Sequence, residues 1–161
     1  MDAMSLQLLL ATCAPLVHPA TAAALVTVES SGNPHAIGVV GGRLERQPRT
    51  RAEATATAAA LAAGGWRFSV GLAQISAANF RWLGLDIEAA FEPCRNLSAM
   101  QTVLLGCLSR HAAPSQQDLR RALSCYYSGN PRTGFAHGYV QRVVAAASPS
   151  LTPPTPEEKR P

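Results

Sequence analysis

Apolar residues recur three and four positions apart along several stretches of this chain, the spacing that draws a stripe down one face of a helix. Leu97, Met100, Leu104 and Leu108 follow it, with Asn96 in front of them as the expected N-cap. An Ala-rich stretch over 19–30 opens on Pro19, which suits a first helical turn, and ends at the stop signal Ser30-Ser31-Gly32-Asn33-Pro34. Residues 50–63 form a second Ala-rich helical stretch, closed by Gly64-Gly65. Further helices are expected over 77–83, over 116–126 before the stop Ser128-Gly129-Asn130-Pro131, and over 139–147, while Leu6 to Ala11 reads as part of a first helix. Between them, 35–49 is irregular and Gly-rich, with Ile37-Gly38-Val39-Val40 as a short strand. The apolar run Phe68 to Ile75 fits strand or helix equally well. Glu92 to Asn96 reads as a turn. The expected architecture is mainly α, about six helices with at most a small β element. One domain is expected over 1–147, followed by a disordered tail over 148–161 that holds five of the 12 prolines.

Composition changes this picture little. The 161 residues are 47% hydrophobic and 15% charged, enough to bury one core without staples. The net charge is +4, carried by 13 Arg and one Lys, Lys159. A modest basic excess favours an anionic partner without choosing one. There is no basic helix face with interleaved aromatics, so a nucleic-acid partner is not expected. No apolar run reaches the ~18 residues of a membrane span. The start of the chain has an apolar stretch but no Lys or Arg ahead of it, so it is read as helix rather than signal peptide. Cys13, Cys94, Cys107 and Cys125 are even in number and fit two disulfides, with all three pairings open. His18, His35, His111 and His137 lack metal-ligand spacing, and no metal or cofactor is expected.

Candidate chemistry centres on Glu29. Its neighbours at i−3, i−4 and i−7 are Val26, Leu25 and Ala22, which share its helix face. A carboxyl on an apolar stripe is desolvated, and the last turn of a helix disfavours its charge. Both effects hold the proton on near neutrality, as a general acid requires. Glu45 and Glu53 lie among arginines and are expected to be solvated. Asp86, Glu88 and Glu92 read as the polar face of a short helix or turn. No second carboxylate has an environment like that of Glu29, whereas ordinary glycosidases use two.

Three short motifs add to this. Val28-Glu29-Ser30-Ser31-Gly32-Asn33-Pro34 resembles the catalytic "ES…NP" motif of family-one soluble lytic transglycosylases, which belong to the lysozyme-like superfamily. Gly71-Leu72-Ala73-Gln74-Ile75 resembles their "GLMQI" motif, and Cys125-Tyr126-Tyr127-Ser128-Gly129-Asn130 resembles their "AYNAG" motif. The order and spacing match, and the resemblance extends over roughly Leu6 to Ala147. It is closer still to the transglycosylase component of type IV secretion and conjugation systems, through Cys13-Ala14-Pro15-Leu16-Val17-His18-Pro19, Phe68 to Ile75 and Glu92-Pro93-Cys94-Arg95-Asn96-Leu97. The resemblance implies a lysozyme-like, goose-type fold and a periplasmic enzyme that cleaves peptidoglycan glycan strands beside components of a type IV secretion system. It implies Glu29 as acid and base, Gln74 lining the saccharide cleft, and Tyr126 with its hydroxyl approaching the catalytic carboxyl. Ser30 and Tyr127 complete the set of substrate-side positions, Ser30 with a structural role. Two departures stand out: Ala73 replaces the motif's Met, and Tyr127 its Asn. A hydrolytic muramidase on the same fold and a non-catalytic glycan-binding adaptor of a secretion system are the alternatives.

Overall fold

The computed structural model describes residues 1–108 and 113–148, so most of the expected 148–161 tail lies outside the described residues. Helix α1 (Ala3–Cys13) is capped by Asp2, whose carboxylate accepts from the Ser5 N–H. Helix α2 (Pro19–Ser30) starts on Pro19 and ends where Ser31 turns left-handed at φ 53°. Strand β1 (Ile37–Val39) follows, then α3 (Arg51–Ala63), capped by the Thr50 hydroxyl. The ambiguous apolar run resolves into β2 (Phe68–Val70) and β3 (Ile75–Ser76), joined by a tight turn. The three strands form one antiparallel sheet in the order β1-β2-β3, with Ile37 opposite Val70 and Val70 opposite Ile75.

A single 3-10 turn (Ala77–Asn79) leads into the short helices α4 (Phe80–Leu83) and α5 (Ile87–Ala90), so the helix expected over 77–83 forms in two pieces. Helix α6 (Pro93–Leu108) begins before Asn96 and overturns its reading as an N-cap. Pro93 occupies the first turn, and the Glu92 carboxylate accepts from the N–H groups of Cys94 and Arg95. The carboxylate takes the capping place four residues upstream, which leaves the Asn96 side chain free for the interior. Helix α7 (Gln116–Ser128) opens on a reciprocal cap between Ser115 and Asp118 and closes at Gly129, with φ 79°. The short α8 (Thr133–Ala136) and α9 (Tyr139–Ala147) complete the described chain.

Helix α2 runs through the middle of the molecule with Ala22, Leu25 and Val26 fully buried, and it packs on α9 and α1. Helix α6 packs on α1 and α7. Both contacts of α6 are reinforced covalently, by Cys13–Cys94 to the end of α1 and by Cys107–Cys125 to α7. The structure thereby selects one of the three pairings. None of the helices over the described residues is long and apolar enough to cross a membrane.

Candidate active site

The turn between β2 and β3, residues 71–74, points into the protein: Leu72 and Ala73 are completely buried. A buried loop must find partners for every backbone polar group, because an unpaired one costs about 1–3 kcal/mol. Side chains of three helices supply them. The Ser30 hydroxyl of α2 donates to the Leu72 carbonyl at 2.7 Å. The Tyr126 hydroxyl of α7 donates to the Ala73 carbonyl at 2.7 Å. Asn96 of α6, 1% exposed, accepts from the Ala73 N–H at 2.8 Å and donates to the carbonyls of Val70 and Ala90. Gly71 is required twice over: its φ is +79°, and a Cβ there would sit 2.3 Å from the Asn96 amide nitrogen.

The same turn sets Gln74. Its backbone is left-handed, φ 50°, and its side-chain amide donates to the carbonyls of Ala36 and Gly71 at 3.1 Å. The amide oxygen lies over β1, where a Cβ on Gly38 would come within 2.7 Å of it. A glycine in the strand is the condition for this side chain to lie across the sheet edge.

Glu29 sits in the last turn of α2, above the buried Ala22, Leu25 and Val26. Burial raises its carboxyl from an ordinary 4.5 to about 7, against the opposing pull of a hydrogen bond from Tyr139 and of the Arg142 cation. The apolar face read from the sequence accounts for the direction of this shift. The hydroxyl that reaches Glu29 belongs to Tyr139, at 2.5 Å from Oε1. The Tyr126 hydroxyl is instead committed to the hairpin carbonyl, because the buried turn needs a donor there. Both phenols are held above their usual range, first by burial and then by the nearby Glu29 charge, so each stays a neutral donor.

Tyr139 starts α9, which packs along α2, and its ring is 2% exposed. Tyr127 stacks on it, with ring centroids 4.5 Å apart and planes 18° from parallel. The Tyr127 hydroxyl in turn pairs with His137 Nδ1 at 3.0 Å. Tyr127, in the place of the motif's Asn, therefore forms an aromatic wall beside the donor to Glu29.

A cleft of about 260 Å³ opens above this floor. Glu29, Gln74, Tyr126 and Tyr127 all line it, together with β1, Ser69, Ile75, Ser76, Asn79 and Val103. Glu29 is the one carboxylate among its described lining residues. Ser30 is not in the lining; its hydroxyl is spent on the hairpin. Tyr139 and the bracing role of Asn96 went unseen in the sequence. Asn96 stood inside the segment Glu92 to Leu97, but helical spacing by itself reads it as a cap. Tyr139 carries no local signal, since its partner is 110 residues away. Among the described residues no group of three His, Cys, Asp or Glu side chains is placed to hold a metal ion.

A small helical domain with a buried hairpin, and a glutamic acid on a central helix beneath an open cleft, is a lysozyme-like architecture. Residues 9–146 match the family model described as Transglycosylase SLT domain, and the chain belongs to that family. It is 47% identical over 150 residues to the type IV secretion system protein virB1 of Brucella abortus and equally to that of Brucella suis, covering 88% of this chain and 63% of each relative. It is 39% identical over 154 residues to protein virB1 of Agrobacterium fabrum, covering 91% of this chain and 61% of that protein. The chain thus spans about three-fifths of the length of the curated relatives it matches. No solved structure matches it.

Proposed function

We propose that this chain is a peptidoglycan lytic transglycosylase that cleaves the β-1,4 bond between N-acetylmuramic acid and N-acetylglucosamine. The observation that carries this reading is Glu29: one half-buried carboxyl, raised to about 7, under an open cleft with no second carboxylate among the described lining residues. Protonated Glu29 donates to the leaving glycosidic oxygen. The carboxylate so formed is stabilised by the Tyr139 hydroxyl and the Arg142 cation, and then acts as base toward the muramoyl C6 hydroxyl. That oxygen attacks C1 within the same sugar, giving a 1,6-anhydromuramoyl end and consuming no water. One carboxyl suffices because the substrate supplies the nucleophile, unlike the paired carboxyls of ordinary glycosidases.

Gln74, Tyr126 and Tyr127 contribute the saccharide-facing walls, while Ser30 and the buried side of Tyr126 hold the hairpin in register with Glu29. The likeness to virB1 proteins supports a setting in which the enzyme opens the periplasmic cell wall locally for assembly of a type IV secretion system. Residues 1–147 form the catalytic unit and 148–161 a Pro-rich appendage in this reading.

Digestion of purified sacculi by the wild-type protein and by Glu29→Gln, with product masses, tests the proposal. Anhydro ends from the wild type and none from Glu29→Gln are expected. Reducing ends would make the enzyme a hydrolytic muramidase, and binding without any soluble product would make it a glycan-binding adaptor. Wild-type rates from Glu29→Gln would overturn the assignment of the acid.

A further inference from the structure

A second depression, of about 270 Å³, lies between α4 and α6. Its walls include Trp82 from α4 and Arg95, Ser98, Ala99 and Thr102 from α6. Two features tie it to the cleft. Asn79 lines the cleft and accepts the Trp82 indole N–H at 3.0 Å, which fixes the ring relative to the catalytic side. On α6, Thr102 faces the depression and the next residue, Val103, faces the cleft, so the two hollows share one turn of helix as their divide.

The chemistry of the depression is specific. Trp82 is 58% exposed, a large indole open to solvent although its N–H is satisfied. An aromatic face carries negative charge density, which attracts the weakly positive C–H edge of a pyranose ring. One helical turn before Ala99 and Ser98 stands Arg95, exposed, with no carboxylate in salt-bridge range among the described residues. A guanidinium fork matches a carboxylate bidentately.

We propose that this depression is an accessory subsite for a distal sugar of the same glycan strand, stacked on Trp82, with a carboxylate of its stem peptide on Arg95. It rests on the peptidoglycan reading above. The subsite selects strands that carry stem peptides over bare glycan, and it keeps the strand engaged while Glu29 acts on another of its sugars.

The test uses Glu29→Gln as a non-cutting parent, sedimented with intact sacculi and with chitin, a bare β-1,4 glycan of N-acetylglucosamine that carries neither stem peptide nor carboxylate. Trp82→Ala in that parent is expected to weaken binding to both polymers about three- to ten-fold. Arg95→Gln is expected to weaken binding to the stem-bearing polymer about two- to five-fold and to leave binding to bare glycan unchanged. Equal losses on both polymers from Arg95→Gln would overturn the carboxylate assignment, and parental binding by Trp82→Ala would overturn the sugar platform. Product release by the wild-type protein, measured in parallel, reports on the catalytic reading alone. Anhydro products with unaltered binding by both variants would sink the subsite and spare the enzyme; no products and no binding would sink both.

Discussion

Replacing Tyr139 by Phe removes one hydroxyl and keeps the ring that stacks on Tyr127. The lost interaction is a 2.5 Å hydrogen bond to Glu29 Oε1. A hydrogen bond to a charged group contributes about 1.5–3 kcal/mol. This one favours the carboxylate, so its loss pushes the Glu29 proton affinity further up from about 7. The same free energy corresponds to about one to two pH units. In the wild type the acid is protonated below about 7, and kcat/KM should fall on the alkaline side near that pH. In Tyr139→Phe this limb should move up. The maximal rate should drop at the same time by about ten- to a hundred-fold, because the negative charge developing on Glu29 loses its donor. Release of soluble fragments from sacculi between pH 5 and 9 measures both quantities, with circular dichroism as the control for folding. An alkaline limb that stays in place or moves down would refute the argument, whatever the rate.

Four other perturbations have outcomes set by the same structure. Glu29→Gln should stabilise the protein at pH 8 while abolishing turnover. Between 4.5 and about 7 the native state holds a proton that the unfolded chain has released, so this group's contribution is lost as pH rises across that window, up to about 3 kcal/mol. Urea unfolding at pH 4 and pH 8 should show that pH-dependent component in the wild type and its absence in the variant. Asn96→Ala strands the Ala73 N–H and two carbonyls in the interior and should cost about 3–5 kcal/mol by urea unfolding. Gly71→Ala should disturb the same hairpin, and retention of full activity by either variant would show that the brace is dispensable. Opening Cys13–Cys94, which spans 81 residues, should cost about 4–5 kcal/mol, and opening Cys107–Cys125, which spans 18, about 3 kcal/mol, measured with paired Ser variants.

Local chemistry made much of this protein legible in one dimension. Pro19 and the Ser31-Gly32 stop bracket α2, Thr50 and Gly64 bracket α3, and Gly129 closes α7, because caps and stops act within a few residues of where they stand. The apolar face beneath Glu29 was legible for the same reason: positions three, four and seven apart share a side of a helix wherever it packs. The start of α6 was not, since Glu92 and Asn96 can each cap a helix and the choice falls to the interior. Only Ala73, Val70 and Ala90, brought together by the hairpin and α5, give the Asn96 amide its three partners.

The assignment of the tyrosines shows the same boundary. Helical spacing placed a glutamic acid on an apolar face, and the family resemblance implied Tyr126 and Tyr127 on the substrate side with it. Which hydroxyl reaches it depends on contacts between distant segments. A buried turn whose carbonyls need donors draws Tyr126 to Ala73, and the packing of α9 on α2 brings Tyr139 across 110 residues to Glu29. Helix periods and caps are set by neighbours along the chain, whereas the partner of a buried polar group is set by what the fold leaves unsatisfied beside it.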